Sequence, residues 1–279
     1  MTTKRRRTNA VIIIFFVTGL LIMTYPLYSN AINNVWDNMT MRRFYKQEKA
    51  RFEADKRKHE EHNLSIAKGA FVPGSDPFDE NYAQGLPDVA QEHFIGTISI
   101  PKLNLEVPLY DKTSSSLLEI GATVLDGTSM PIGGENTHSV ITGHRGLPNR
   151  ELFTNITKLK EEDLFVIDVF GEKIAYKVIS TQVVFPYETD SLQMMPGEDL
   201  VTLVTCTPYM INTHRLLVNG TRVEYTEEIE KELSTSTKTY HFKNIAILTG
   251  LVTVVFSTLF MVFKSFKGDR RNKVFKKGR

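Results

Sequence analysis

Cysteine is almost absent, with one in 279 residues. A lone thiol closes no internal disulfide, and with seven scattered histidines it offers no zinc-ligand spacing, so disulfide-stapled and metal-centred folds are disfavoured. Net charge is nearly absent too, at +2. The densest charged stretch, residues 53–62 (EADKRKHEEH), alternates acids and bases, which makes a solvated helix or stalk and not the one-signed patch nucleic acid requires. His59 and His62 lie three apart in that stretch, but such a polar run is a poor metal site. No internal repeat is evident.

Charge is missing altogether from two runs, residues 10–28 and 245–263. At about 1.5 Å of helical rise per residue, each reaches roughly 30 Å, the thickness of a bilayer core. Lys243 and Lys264 bracket the second run sharply, which marks it as a membrane span. Lys4, Arg5, Arg6 and Arg7 precede the first run, and Lys264, Lys267, Arg270, Arg271, Lys273, Lys276, Lys277 and Arg279 follow the second. Both ends are therefore expected on the cytoplasmic side and the middle outside. The first run also fits a cleavable signal peptide, given its basic start, Pro26 and the small residues Ser29 and Ala31. Export follows from either alternative, and an exported lone cysteine is either a buried bystander or a reactive thiol.

This divides the chain into a basic end (1–9), a first span or signal peptide (10–29), an extracellular helical segment (30–67), a proline- and glycine-rich loop (68–92), a β-rich domain (93–225), a polar linker (226–244), the second span (245–263) and a basic tail (264–279). In the helical segment Ile32, Val35, Trp36 and Met39, then Met41, Phe44, Tyr45 and Phe52, recur at helical spacing. From Phe94 the runs FIGTISI, LEVPLY, SVIT, LFVIDVF, KIAYKVISTQVVF, LVTLVT and RLLVNGTRVEY read as strands of an antiparallel barrel or sandwich, with short helical stretches near 116–121 and 151–159.

The cysteine lies at the end of one such strand. Residues 200–205 and 214–218 are strand-like, and Pro208 and Asn212 between them carry turn chemistry. Paired antiparallel, the two strands bring Cys206 and Arg215 together although they are nine positions apart. A permanent cation beside a thiol favours thiolate. A general acid/base is also needed, and His144, in ITGHRG at a strand end between glycines, is the preferred histidine. His138 and His214 remain open on spacing alone.

The stretch TLVTCTPYMINTHRLLV with the upstream ITGHRG resembles the signature of sortases, specifically the class C, pilus-polymerising sortases of Gram-positive bacteria. The similarity extends over most of the chain. It takes in Tyr25-Pro26 at the end of the first apolar run, an Asp-Pro-aromatic tripeptide (Asp76, Pro77, Phe78) before the barrel, and the second span. The resemblance implies an all-β fold, an eight-stranded sortase-like β-barrel with short helices, an N-terminal helical segment, a lid loop and a C-terminal transmembrane helix. It also implies that Cys206 is the nucleophile, His144 the acid/base, and Arg215 the oxyanion- or substrate-stabilising cation. Asp76, Pro77 and Phe78 would form the lid, with Asp76 on Arg215 and the Phe78 ring over the Cys206 sulfur. No cofactor or metal is implied. The implied partners are the membrane and pilin proteins that carry a Leu-Pro-any-Thr-Gly sorting signal and an acceptor lysine. Met210 departs from the pattern, since glycine is the more usual residue there. The competing readings are a sortase that anchors proteins to a peptidoglycan precursor and a non-catalytic membrane-tethered scaffold.

Overall fold

The computed structural model describes residues 2–47, 49–70, 72–74, 76–78 and 90–276, and the remainder of the 68–92 loop lies outside these. Two compact units emerge, one of residues 1–35 with 242–279, the other of residues 36–241.

The first unit is helical. Helix α1 (Thr2–Met23) ends at Thr24, and α2 (Tyr25–Gln47) starts at once but is bent by 63° from it. Pro26 causes the break, because it has no N–H to continue the hydrogen-bond ladder. The expected first span, 10–29, is therefore interrupted. Among the described residues one helix is long and apolar enough to cross a membrane, or two if the bent pair counts as one span. That one helix belongs to α6 (Glu227–Lys276), whose Val252, Phe256, Phe260 and Phe263 are exposed, as a lipid-facing surface would be.

The second unit holds the barrel. Helix α3 (Lys49–Ser65) and a short α4 (Ala90–His93) lead into β1 (Phe94–Ile100), β2 (Leu105–Tyr110), α5 (Ser115–Leu118), β3 (Ala122–Val124), β4 (Thr137–Gly143), β5 (Leu164–Val169), β6 (Glu172–Val184), β7 (Asp199–Thr207) and β8 (His214–Val223). They close in the order β1-β2-β3-β4-β7-β8-β6-β5. Ile98, Leu109, Ile141, Phe153, Phe165, Leu203 and Val218 fill the interior. The eight-stranded barrel matches the sequence expectation, but it is not wholly antiparallel: β2 pairs parallel with β3, and β4 with β7. Strand pattern records which faces are buried and not which way a neighbour runs, and both parallel pairs need long crossovers that no local signal announces.

The helical segment departs from expectation in two ways. Met41 and Phe44 are buried together with Phe52, Phe94, Tyr110 and Leu117, whereas Trp36 and Met39 are 65% and 55% exposed. At about 100° per residue the 32/36/39 stripe and the 41/44/45 stripe lie on opposite sides of one helix, so they are two faces and not one. The charged stretch is no free stalk either. His59 is buried and stacks on Phe170, with ring centroids 5.4 Å apart. The Asn63 amide accepts from Met130 N at 2.7 Å and donates to Met130 O at 2.9 Å. This face is docked by polar contacts that hydrophobic periodicity does not register.

The polar linker is likewise helical, continuous with the apolar run. Ile229 and Leu233 pack on Val166 and Ala175 of the barrel, and Ser236 Oγ donates to Pro101 O at 3.1 Å.

Candidate active site

Three strand ends meet at one rim of the barrel. Strands β7 and β8 pair so that Cys206 and Arg215 are direct cross-strand partners, with Thr207 opposite His214. Directly opposed residues share a face, so thiol and guanidinium lie on the same side and His214 on the other. Strand β4 runs parallel to β7 with Thr142 opposite Val204, and Thr205 Oγ1 donates to Gly143 O at 2.7 Å. His144, the next residue, is thereby delivered to the Cys206 end of β7. Gly143 has to be glycine, since a Cβ there would meet the Phe153 ring at 2.6 Å.

The other two histidines have different surroundings. His138 is buried, with Nδ1 2.9 Å from Gln193 O and Nε2 2.7 Å from Thr202 Oγ1. Both ring nitrogens are occupied. His214 contacts Thr213 Oγ1 at 2.9 Å and lies 4.5 Å from the Phe185 ring. Neither stands at the β4 end beside the last residues of β7, where His144 is.

Residues 76–78 cover this rim. Arg215 Nε donates to Asp76 Oδ1 at 2.9 Å, and Nη2 pairs with Oδ2, making a two-pronged bridge. The side chains of Arg215 and Asp76 are only 9% and 18% exposed, so the pair is mostly buried. Nη1 donates to Asn212 O and His214 O, each at 2.9 Å. The Phe78 ring lies 5.2 Å from the guanidinium carbon and 5.5 Å from the His144 ring, tilted by 55° to the latter. Pro77 lines an apolar cleft with Leu125, Val140, Val184, Leu192 and Val204. The segment is tied down upstream by Gly74 N donating to Asp126 O at 2.8 Å.

Burial sets the proton affinities. It pushes the Cys206 thiol up to about 11, with Arg215 pulling down, Asp76 pushing up and Arg145 pulling down. Burial also lowers the His144 imidazole, opposed by the Glu119 carboxylate. At neutral pH the covered site therefore holds a neutral thiol and a neutral imidazole. Removing the Asp76 carboxylate, which pushes the thiol up, favours thiolate, and loss of the Phe78 ring opens the rim to reagent. Asp76→Ala/Phe78→Ala should thus speed alkylation of Cys206 by about tenfold or more, given the roughly 1.5–3 kcal/mol of a ring's burial. The barrel's melting temperature should change little. Unchanged alkylation in the folded double variant would return the tripeptide to an ordinary turn.

Met210 and Asn212 have φ of 66° and 60°, the left-handed region where glycine sits without strain. That accounts for glycine being expected at 210, and the methionine side chain is exposed. Arg145, beside His144, escaped the sequence reading altogether. Its Nη1 donates to Thr207 Oγ1 at 3.1 Å and Cys206 O at 3.4 Å. The only signal for it was its place in ITGHRG.

A thiol, an imidazole and a guanidinium above an apolar cleft can carry out acyl transfer. Comparison with known proteins points the same way. Residues 98–223 match the family model described as a sortase domain. The structure of sortase C1 of GBS pilus island 1 is 40% identical, with a TM-score of 0.58, covering 67% of this chain and 90% of that one. Sortase C-1 of Streptococcus pneumoniae is 38% identical, with a TM-score of 0.54, covering 64% and 100%. Sortase A of Bacillus anthracis is 26% identical over 78% of this chain and 95% of its own.

Proposed function

This chain belongs to the sortase family of cysteine transpeptidases and is similar to its class C pilus enzymes, and from that premise we propose that it polymerises pilins. The substrate would be a Leu-Pro-any-Thr-Gly sorting signal and the acceptor a lysine amine of the next pilin. The observation that carries this is the register of Cys206 against Arg215 beneath an Asp76–Phe78 cover that occupies the same cleft. That cleft, lined by Leu125, Val140 and Val204, suits the Leu-Pro portion of a signal once Pro77 has left it.

The steps follow from the groups. With the cover open, the Cys206 proton passes to His144 and the sulfur attacks the threonine carbonyl carbon. Arg215 faces the developing oxyanion. Collapse breaks the threonine–glycine C–N bond, the imidazolium gives its proton to the departing glycine amine, and a thioester remains. The lysine amine then attacks the thioester and gives up a proton to His144. Breaking the C–S bond restores the thiol and leaves an isopeptide.

Arg215→Lys is expected to lose on the order of 10²-fold in kcat/KM for a sorting-signal peptide, because an ammonium keeps the charge but not the planar fork. The fork is what reaches Asn212 O and His214 O at the same time as Asp76. Near-normal turnover in this variant would place the oxyanion contact elsewhere.

The catalytic domain would lie on the extracellular side, anchored by α6 with its basic tail in the cytoplasm. Incubating the enzyme with candidate pilins and looking for a ladder of covalent multimers by mass tests the reading. Peptide hydrolysis with no ladder, and transfer instead to a peptidoglycan precursor, would favour wall anchoring. A thiol still inert to alkylation after removal of the cover would favour a scaffold.

A further inference from the structure

Arg145 lies against the Cys206 end of β7, and the steps above make no use of it. The ladder between β4 and β7 ends at Thr142 and Val204, so on that side the last residues of β7 have no strand beside them. Arg145 takes the strand's place. Its Nη1 donates to Cys206 O at 3.4 Å and to Thr207 Oγ1 at 3.1 Å. Its guanidinium carbon lies 5.6 Å from the Tyr209 ring centroid, within cation–π range. Gly146, with φ of 84°, leaves room for that ring, because a Cβ there would approach it to 2.8 Å. The Arg145 Nε is buried without a partner. Among the described residues no carboxylate forms an ion pair with this arginine, whereas Arg215 is held by Asp76.

We propose that Arg145 is a positioning residue that fixes the Cys206 end of β7 and keeps an uncompensated cation beside the thiol. It differs from Arg215 in being available throughout the cycle. Arg215 changes partner, from Asp76 in the covered state to substrate in the open one, while Arg145 holds backbone and ring contacts that the cover does not touch. Its pull on the thiol acts in the same sense as that of Arg215. The division of labour is a fixed cation for the nucleophile and a switchable one for the substrate. This rests on Cys206 being the nucleophile.

The test uses the full chain carrying Asp76→Ala/Phe78→Ala, so that the cover does not limit reagent access, and follows alkylation of Cys206 by iodoacetamide from neutral to alkaline pH. Adding Arg145→Met should move the inflection up by about one unit, as loss of a neighbouring cation does. Arg145→Lys should keep the inflection near that of the parent and recover part of the kcat/KM that the methionine variant loses. Arg145→Gln, which keeps a donor but no charge, should shift as methionine does, and it carries the test if the methionine variant does not fold. An inflection that stays at the parent value in both neutral variants overturns the proposal, as does a lysine variant that shifts as far as they do. Because alkylation reads the thiol without requiring transfer, such a failure is distinct from failure of the nucleophile assignment, which would appear as turnover surviving Cys206→Ala.

Discussion

Cys206→Ala is expected to abolish both the thioester and the transfer, a loss of about 10⁴-fold or more of the kind seen when a nucleophile is deleted from a cooperating set. No other side chain at this rim can replace it. The hydroxyl of Thr205 is committed to Gly143 O and that of Thr207 accepts from Arg145; a neutral hydroxyl is also a far weaker nucleophile than a thiolate at neutral pH. The fold should survive, since the side chain is small and lies outside the barrel's interior cluster. The check is intact-mass spectrometry of enzyme mixed with a sorting-signal peptide: wild type gains the mass of the acyl fragment, and the alanine variant gains nothing while keeping its melting temperature. An acyl adduct on any other residue would sink the assignment.

Much of this site was legible because it depends on strand register. A β-branched run ending in cysteine, a turn with Pro208 and Asn212, and a second run beginning at His214 suffice to place Cys206 against Arg215. The same pairing sends His214 to the opposite face. What stayed hidden came from long-range contact. Nothing local says that β4 lies beside β7, although that parallel pairing is what brings His144, and not His138, to the Cys206 end of β7. Nor does composition reveal that Asp76 is mostly buried against Arg215, because a loop's burial depends on what it lies on. The docked face of α3 was missed for a related reason. Its contacts run through His59 and Asn63, polar residues that an apolar-stripe reading assigns to solvent. The one fully local omission was Arg145, which stood within the very motif that singled out its neighbour.

His144→Ala should cost about 10²–10⁴-fold in kcat, the range for a positioned proton-transfer group, and it should exceed the loss from either of the other two histidines. In the proposed mechanism the imidazole has two tasks, taking the thiol proton and delivering one to the glycine amine. His138→Ala fails differently. It takes from Gln193 O its ring partner and leaves Thr202 Oγ1 with Asn219 alone, which costs roughly 1–3 kcal/mol of stability, so the melting temperature falls while turnover per folded molecule largely persists. His214→Ala should be milder still, since the ring leans on Phe185 and strand register turns it to the face opposite the thiol. The pH profile separates chemistry from stability. Burial lowers the His144 pKa, so the ring stays neutral, and able to accept the thiol proton, to a lower pH than an ordinary histidine. The acid limb of the kcat/KM profile should therefore fall below about 6.5, the usual histidine value, and should vanish in His144→Ala while surviving in His138→Ala. A profile whose acid limb survives in His144→Ala, or a larger loss of turnover per folded molecule in His138→Ala, would transfer the acid/base role away from the β4 end.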